Sequence, residues 1–197
     1  MEYIALDFET ANRYPESACS IGMSLMDEEG SELDRYYSLI CPPVLYFDPV
    51  CTSVHHLREA EVKRAPTFKE LWPEISSFIG TRPLVAHNAR FDISVLNESA
   101  LAYGIVVPNY EYYCSMQITR KLVKGYSSYS LSYIVPELLG FNYNAHLASD
   151  DAYACGRLFA FVCKGHLNEK EELETYMRLN KCAYPKTIRK SEDVLLF

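Results

Sequence analysis

The sequence predicts an α/β fold in which helices flank a mixed β-sheet. Three strand-like runs come first, at residues 3–7, 19–26 and 35–40. The acidic turn 27–30 joins the second and third runs as a hairpin. Apolar residues at helical spacing then alternate with one short, fully apolar strand at Leu84–Ala86. Hairpins followed by alternating helices and strands are typical of a layered sheet with antiparallel and parallel pairs.

The rest of the chain is predicted to be mainly helical. The Pro-rich segment 42–49 and the residues after it, through His56, are predicted as a loop. Pro66 and Thr67 then open a helix that Gly80 ends. Further helices are predicted at residues 90–103, 116–123, 131–139, 150–163 and 168–180. These helices would supply the layers that cover the sheet.

The composition is that of a globular domain with a short appendage. The 197 residues are 49% hydrophobic and 23% charged, and no apolar run approaches the roughly 20 residues that span a bilayer. The start of the chain lacks the features of a signal peptide, and no Cys-x-x-Cys pair occurs, so we expect a reduced, cytoplasmic protein. One globular domain is expected over residues 1–165, with a helical, basic extension over 166–197.

The charge distribution limits how the protein can contact nucleic acid. A net charge of −7 argues against non-specific coating by phosphate neutralisation, but it allows an enzyme that holds a few nucleotides. Residues 178–190 carry five basic side chains and no acidic one. This segment is either a solvated tail or a surface that contacts a nucleic-acid backbone.

A pair of carboxylates ends the first strand-like run. Asp7 and Glu9 are two residues apart, so in a strand they project from the same face, on either side of Phe8. Adjacent carboxylates repel each other unless a cation or a shared proton compensates them. Oxygen ligands suit Mg²⁺ or Mn²⁺. The pair therefore indicates a metal site if partners lie nearby, and alone it is equally consistent with an ordinary turn.

Two further acidic residues are predicted to point inwards from helices. Asp92 shares a helical face with Val95 and Leu96, and Asp151 lies in register with the apolar stripe of its own helix. The neighbouring Asp150 is predicted to face solvent. Either inward acid alone is most simply a capping or hydrogen-bonded core residue. Four converging carboxylates, by contrast, would destabilise the fold without a compensating cation.

A histidine and a short polar segment accompany these acids. His146 lies five residues before the last of them and is the natural general-base candidate, although on its own it would be an ordinary surface histidine. The segment 87–92 directly follows the short apolar strand, at the strand end where open α/β sheets bind ligands. Within it, we expect Asn88 to cap the helix and Phe91 to pack inwards and orient the aspartate.

Three motifs, in this order, resemble the signature of the DEDDh exonuclease superfamily. They read Asp-x-Glu-Thr from residue 7, Asn-Ala-x-Phe-Asp from residue 88 and His-x-Ala-x-x-Asp-Ala from residue 146. The resemblance spans about residues 3–161. It is strongest for DnaQ-like proteins, the epsilon proofreading subunit of bacterial DNA polymerase III and its stand-alone relatives. One departure is His56, at a position where the family has glycine.

The resemblance implies a fold and a reaction. The implied fold is ribonuclease H-like, with a mixed five-stranded sheet flanked by helices. The implied activity is that of a 3′–5′ exonuclease that uses two divalent cations, Mg²⁺ or Mn²⁺, and releases nucleoside 5′-monophosphates, most simply from DNA. The expected partners are nucleic acid with a free 3′ end and a polymerase or repair protein, with no membrane.

The resemblance also implies roles for individual residues. Its catalytic set comprises four metal-binding acids and one histidine: Asp7, Glu9, Asp92, Asp151 and His146. The candidate substrate-binding residues are Thr10, Asn88, Phe91 and His55. Further candidates for stacking on terminal bases are Tyr126, Tyr129 and Tyr133. Core packing is an equal alternative for each of these tyrosines.

Four other interpretations stay open on the sequence alone. An exoribonuclease of the same fold would act on RNA, and a non-catalytic nucleic-acid-binding or polymerase-binding module would keep the fold without the chemistry. A haloacid-dehalogenase-type phosphatase also begins with an acidic strand end, but it needs an aspartate where this chain has Glu9. A structural zinc site at Cys51, His55 and His56 lacks the usual paired ligand spacing.

Overall fold

Helices cover both faces of a central β-sheet in this computed structural model, which describes residues 2–166 and 186–187. The strands are β1 (Tyr3–Thr10), β2 (Ala18–Met26), β3 (Glu32–Leu39), β4 (Leu84–Ala86), β5 (Glu111–Cys114) and β6 (Lys186–Thr187). The α-helices are α1 (Pro49–His55), α2 (Glu59–Val62), α3 (Phe68–Ile79), α4 (Ala89–Leu101), α5 (Ser115–Leu122), α6 (Leu131–Leu139) and α7 (Ala148–His166). A short 3₁₀ helix, Pro15–Ser17, separates β1 from β2.

The strand directions make the sheet mixed. Its order is β3-β2-β1-β4-β5-β6. β2 is antiparallel to β1 and β3, whereas β4 runs parallel to both β1 and β5. The five-stranded mixed sheet is confirmed, and the two-residue β6 extends it at the β5 edge. Because β1, β4 and β5 are parallel, their carboxyl ends meet at one edge of the sheet.

β1 divides its side chains between two cores. Leu6 and Phe8 pack into the core that contains α3 and α4, whereas Ala5 packs into the core that contains α5, α6 and α7. Successive side chains alternate along a strand. Asp7 and Glu9 therefore continue the row of Ala5 and project on the α7 side of the sheet.

A glycine in β2 allows α7 to start directly on the sheet. A Cβ atom on Gly22 would lie 2.1 Å from the carbonyl carbon of Ala148 and 2.3 Å from the backbone nitrogen of Ser149. Gly22 is also the residue paired with Asp7 between β1 and β2. The contact therefore brings the first turn of α7 beside the carboxylate pair. Sequence reasoning overlooked it, although a glycine inside a strand is a sign of close backbone approach.

The predicted loop through His56 is wrong, because its second half forms α1. This helix begins at Pro49, whose fixed φ suits the first helical position. The Asp48 side chain accepts a hydrogen bond from the backbone N–H of Val50 at 2.8 Å, which satisfies one free donor of the first turn. Proline and aspartate are typical of loops as well as of the first turn of a helix, so these two residues alone do not distinguish the two structures. β5 was not predicted from the residues either, because its sequence Glu-Tyr-Tyr-Cys neither alternates nor forms a fully apolar run as β4 does.

Some expectations concern parts of the chain that the structure does not describe. The predicted helix 168–180 lies outside the described residues, as does most of the expected extension 166–197. The basic segment 178–190 is described only at residues 186–187, in β6. Within residues 2–166 and 186–187, no helix combines the length and the apolar character that crossing a membrane requires.

His56 ends α1 in a left-handed backbone conformation, with φ of 64°. A side chain costs about 1 kcal/mol there, whereas glycine adopts this conformation freely, which is a physical reason for the glycine that the family resemblance implies at this position. We expect His56→Gly to raise the free energy of unfolding by about 0.5 kcal/mol, once the greater freedom of the unfolded chain is subtracted. Urea denaturation measures the change. His56→Ala keeps the steric cost, so equal stability of the two variants would contradict this interpretation.

Candidate active site

Four carboxylates from three separate segments meet at the carboxyl edge of the sheet. Asp7 and Glu9 come from β1, Asp92 from the first turn of α4 and Asp151 from the first turn of α7. Removal from water raises the pKa of Asp7 well above its ordinary value, and the negative charges of the other three carboxylates raise it further. Burial, followed by the charges of Asp151 and Asp92, raises the pKa of Glu9 to about 8. The four acids therefore form one electrostatically coupled cluster.

Asp92 is the most deeply buried acid of this cluster, with 1% of its surface exposed. Its Oδ1 accepts a hydrogen bond from the backbone N–H of Phe8 at 3.1 Å, which fixes the carboxylate to β1. Its Oδ2 is buried and has no hydrogen-bond partner among the described residues. Burial raises the pKa of Asp92 to about 8. A buried carboxylate oxygen without a donor is the group that a bound cation would satisfy.

Asp151 and Asp150 face opposite directions, as their helical periodicity predicts. Asp151 is buried, and its Oδ2 accepts a hydrogen bond from the backbone N–H of His146 at 2.5 Å. Burial raises the pKa of Asp151 above its ordinary value. Asp150 is partly exposed and pairs with Arg35 of β3, whose Nη1 lies 3.0 Å from the carboxylate. Asp150 thus points away from the cluster, whereas Asp151 points into it.

His146 lies next to the acids on an irregular part of the backbone. Its φ is 69°, and its side chain is half exposed. Its Nδ1 lies 3.9 Å from Oε1 of Glu9. Ligand atoms of Glu9, His146 and Asp151 all lie within 4.8 Å of one another, a spacing at which a single ion could contact several of them. The structure thus brings together all five residues of the predicted catalytic set.

His55 supports the end of β1 from behind. Its Nδ1 accepts a hydrogen bond from the backbone N–H of Leu57 at 3.0 Å, so its Nε2 carries the proton and donates to the carbonyl of Thr10 at 3.1 Å. Both His55 and Thr10 are buried. Because both ring nitrogens are engaged, the structure gives no support to a zinc site that would include Cys51 and His55.

Asn88 and Phe91 differ from expectation in their side-chain directions. Asn88 occupies the N-cap position of α4 with a left-handed φ of 74°, and its exposed side chain makes no capping hydrogen bond. The prediction that this side chain caps the helix is therefore wrong. Phe91 is 42% exposed, so its predicted inward packing is wrong as well. One residue corresponds to 100° of a helix, and the turn that buries Asp92 leaves Phe91 outside.

The tyrosines proposed for base stacking are largely engaged in packing. The Tyr129 hydroxyl donates to the carbonyl of Val123 at 2.8 Å, and its ring contacts that of Tyr126 edge-on at 6.3 Å between centroids. Ser127 donates its hydroxyl hydrogen to the Tyr133 oxygen at 3.0 Å. Packing therefore accounts for Tyr126 and Tyr129, which lie against the core beneath them.

Tyr143 was not predicted, although it belongs to this site. It lies in the loop before α7 with a buried hydroxyl. Burial raises the pKa of Tyr143, and the neighbouring Asp151 raises it further. A single tyrosine in a polar loop has no periodicity, so the sequence contains no signal that would have identified it.

A family model and several known proteins are similar to this chain over most of its length. The family model described as "Exonuclease" (RNase_T) covers residues 4–159. "DNA polymerase III PolC-type" of Clostridium perfringens (strain 13 / Type A) is 26% identical over 176 residues, which are 89% of this chain but only 12% of that relative. "DNA polymerase III subunit epsilon" of Aquifex aeolicus (strain VF5) is 25% identical over 158 residues, or 80% of this chain and 78% of the relative. The chain thus spans a small part of the PolC-type proteins and most of the epsilon subunit.

Solved structures agree with these sequence relatives. "Exonuclease X in complex with 5' overhanging duplex DNA" superposes with a TM-score of 0.69 at 22% identity and covers 86% of this chain and 96% of its own. The nuclease domain of 3'hExo, "a DEDDh family member, bound to rAMP", has a TM-score of 0.69 at 18% identity and covers 96% of both chains. At these identities the structures establish the ribonuclease H-like fold. The family model, the epsilon relatives and the fold together show that this chain belongs to the DEDDh exonuclease superfamily.

Proposed function

We propose that the chain is a divalent-cation-dependent 3′–5′ exonuclease that releases nucleoside 5′-monophosphates from DNA. The observation that carries the proposal is the cluster of four carboxylates with raised pKa values beside His146. A fold would not retain so many buried acids for stability, since burying like charges costs several kcal/mol. A role in metal-dependent phosphodiester hydrolysis explains why the chain carries these acids despite the free-energy cost of burying them.

The donor set suits a hard divalent cation. Asp7, Glu9, Asp92 and Asp151 offer oxygen ligands only, and the buried Asp92 Oδ2 lacks any other partner among the described residues. Bound there, Mg²⁺ or Mn²⁺ would neutralise the carboxylates, activate a water molecule and stabilise charge on the scissile phosphate. We propose that all four acids hold these cations.

The remaining residues bind the strand and move the proton. His146 is half exposed and has Nδ1 towards Glu9, so Nε2 is the nitrogen that we propose takes the proton of the attacking water. The exposed ring of Phe91 offers a face on which the terminal base can stack. We propose that Asn88 contacts the strand directly, and that His55 acts through its hydrogen bond to Thr10, which holds the end of β1 against the terminal nucleotide.

The matched pair Asp151→Asn and Asp150→Asn tests the catalytic part of this proposal. With Mn²⁺ and a labelled DNA single strand, the wild type should release mononucleotides from the 3′ end, and a chelator should stop it. Asp151→Asn should lower the rate by about 10³-fold, as loss of a transition-state charge contact does. Asp150→Asn removes only the exposed pair with Arg35 and should stay within about twofold. Equal effects of the two substitutions, or an inactive wild type, would overturn the proposal.

DNA is proposed as the substrate because the sequence relatives are DNA polymerase III proteins. A polymerase is proposed as a partner for the same reason. Cleavage rates on DNA and RNA strands of identical sequence provide the test. A faster rate on RNA would reassign the substrate and leave the proposed chemistry intact, since the 2′-hydroxyl can be distinguished by a single contact.

A further inference from the structure

Within residues 2–166, the segment between Glu111 and Glu137 is the longest that contains no acidic side chain. These 25 intervening residues contain three basic side chains and no acidic one, in a protein whose net charge is −7. The three are Arg120 and Lys121, at the end of α5, and Lys124, in the loop that follows. All three are exposed. We call Arg120, Lys121 and Lys124 the basic surface.

The basic surface is connected to the active-site edge of the sheet. α5 starts directly after β5, whose carboxyl end lies at the same edge as those of β1 and β4. The loop after α5 returns to that edge, where the carbonyl of Tyr129 lies 2.8 Å from Nε2 of His87. His87 also contacts the Ser115 hydroxyl at 2.9 Å. Since His87 directly precedes Asn88, the loop borders the segment that carries Phe91 and Asp92.

Local contacts hold two of these basic side chains, Arg120 and Lys124, in place. The Arg120 guanidinium lies over the ring of Tyr129, 5.7 Å from its centroid. Nζ of Lys124 donates to the carbonyl of Arg120 at 2.6 Å, and the Tyr129 hydroxyl donates to the carbonyl of Val123. The loop is therefore fixed to α5 at several points. A surface ordered in this way loses less entropy when it binds a strand than a set of unconstrained lysines would.

The active site itself repels the substrate that we propose for it. Four carboxylates face the phosphates of a polyanion, and cations at the site compensate only the phosphates closest to it. Phosphates further along the strand need positive charge of their own, and basic side chains supply this by displacing counterions. The basic surface is a source of such charge, and it is linked to the segment that carries Asn88 and Phe91 through Tyr129, whose ring lies beneath Arg120 and whose carbonyl contacts His87.

We propose that the basic surface binds the sugar–phosphate backbone of the substrate strand a few nucleotides before its 3′ end. The contact is to phosphates, so it is independent of base sequence. It extends the proposed function, because it supposes a strand whose 3′ end occupies the carboxylate cluster. The basic surface sets affinity for the strand and its dependence on salt, and it takes no part in bond cleavage.

The full-length double variant Lys121→Gln/Lys124→Gln tests this proposal. Binding of a fluorescent 20-nucleotide DNA single strand is followed by anisotropy between 50 and 300 mM KCl, in Ca²⁺. Each lost phosphate contact lowers the slope of log Kd against log salt by about 0.7 for single strands. We therefore expect a slope reduced by about 1.4 and an affinity about tenfold weaker at 0.15 M salt. Hydrolysis of the p-nitrophenyl ester of thymidine 5′-monophosphate, which has no strand, should stay within twofold.

The double variant Lys63→Gln/Lys69→Gln is the matched control. It also removes two exposed positive charges, but from α2's end and from α3, which packs on the opposite face of the sheet. Its slope should equal that of the wild type. An unchanged slope of log Kd against log salt in the Lys121/Lys124 variant, or an equal change in the control, would refute the proposal that the basic surface binds the strand.

The outcome for the basic surface is separable from the outcome for the catalytic proposal. If the wild type hydrolyses neither the nitrophenyl ester nor DNA, the proposed function fails, and the anisotropy slopes still decide the binding proposal. If the wild type hydrolyses both but the slopes are identical, the proposed function stands and the basic surface does not. Thermal unfolding of both double variants checks that neither change acts through loss of fold.

Discussion

Asp92→Asn should abolish nuclease activity and at the same time stabilise the cation-free protein. The asparagine oxygen can still accept the hydrogen bond from the Phe8 N–H, so the contact with β1 is kept. The substitution removes one negative charge from a buried site where burial raises the pKa to about 8. We expect kcat to fall by at least about 10³-fold. We also expect the free energy of unfolding without cations to rise by about 1–3 kcal/mol at pH 8, because a buried charge costs that much or more.

This prediction is specific because the substitution should change activity and stability in opposite directions. A residue that merely holds the core together would lose both when it is altered. Activity is measured as mononucleotide release with Mn²⁺, and stability as thermal unfolding in a chelator. Glu98→Gln is the control, because Glu98 is an exposed carboxylate on the same helix and its amide should leave both quantities unchanged. A destabilised Asp92→Asn variant would show that the cluster is not electrostatically strained.

The cation-free protein should become less stable as the pH rises from about 5 to 8. The pKa of Glu9 is raised from 4.5 to about 8, and that of Asp92 from 3.8 to about 8, mainly by burial. In this pH window the folded protein keeps protons that the unfolded chain has already released. Stability is therefore complete below the unfolded-state pKa values and is lost as the pH rises through the folded-state values. Even a loss of about 2 kcal/mol would lower Tm by about 4–8 °C in a chain of this size.

Divalent cations should reverse this pH dependence. A bound cation stabilises the charged carboxylates that protons stabilise at lower pH, and binding to the folded state alone raises Tm. We expect the Tm difference between samples with Mn²⁺ and samples with a chelator to be small at pH 5 and largest at pH 8. Scanning calorimetry or fluorescence-monitored melting measures it. A cation-free protein whose Tm rises between pH 5 and 8 would contradict the raised pKa values.

Helical periodicity was enough to predict the inward direction of the two acids on helices. Asp92 and Asp151 each lie in an apolar stripe, and a buried stripe determines the direction of any polar residue within it. The alternation of β1 likewise predicted that Asp7 and Glu9 share a face. These positions were predictable because a repeating pattern several residues long specifies them.

Features without a repeat were predicted wrongly or were not predicted. The missing capping hydrogen bond of Asn88 follows from a left-handed backbone at that one residue. The exposure of Phe91 follows from the residue at which α4 begins. The helix at Pro49–His55 depends on a single cap and a single proline. Tyr143 and Gly22 matter through tertiary contacts with residues far away in the sequence. Local sequence contains no trace of the Tyr143 contact, and a glycine inside a strand signals a close backbone approach without identifying its partner, so only the structure reveals both contacts.

Gly22 has a consequence for judging which relatives of this chain are functional. It has no chemical group to contribute, yet the backbone of Ala148 and Ser149 occupies the space that any side chain there would need. A sequence that retains all five predicted catalytic residues but carries a bulkier residue at position 22 would possess the parts of the site without their arrangement. Motif searches would accept such a sequence. Whether the motif residues can assemble therefore depends on a position that lies outside all three motifs.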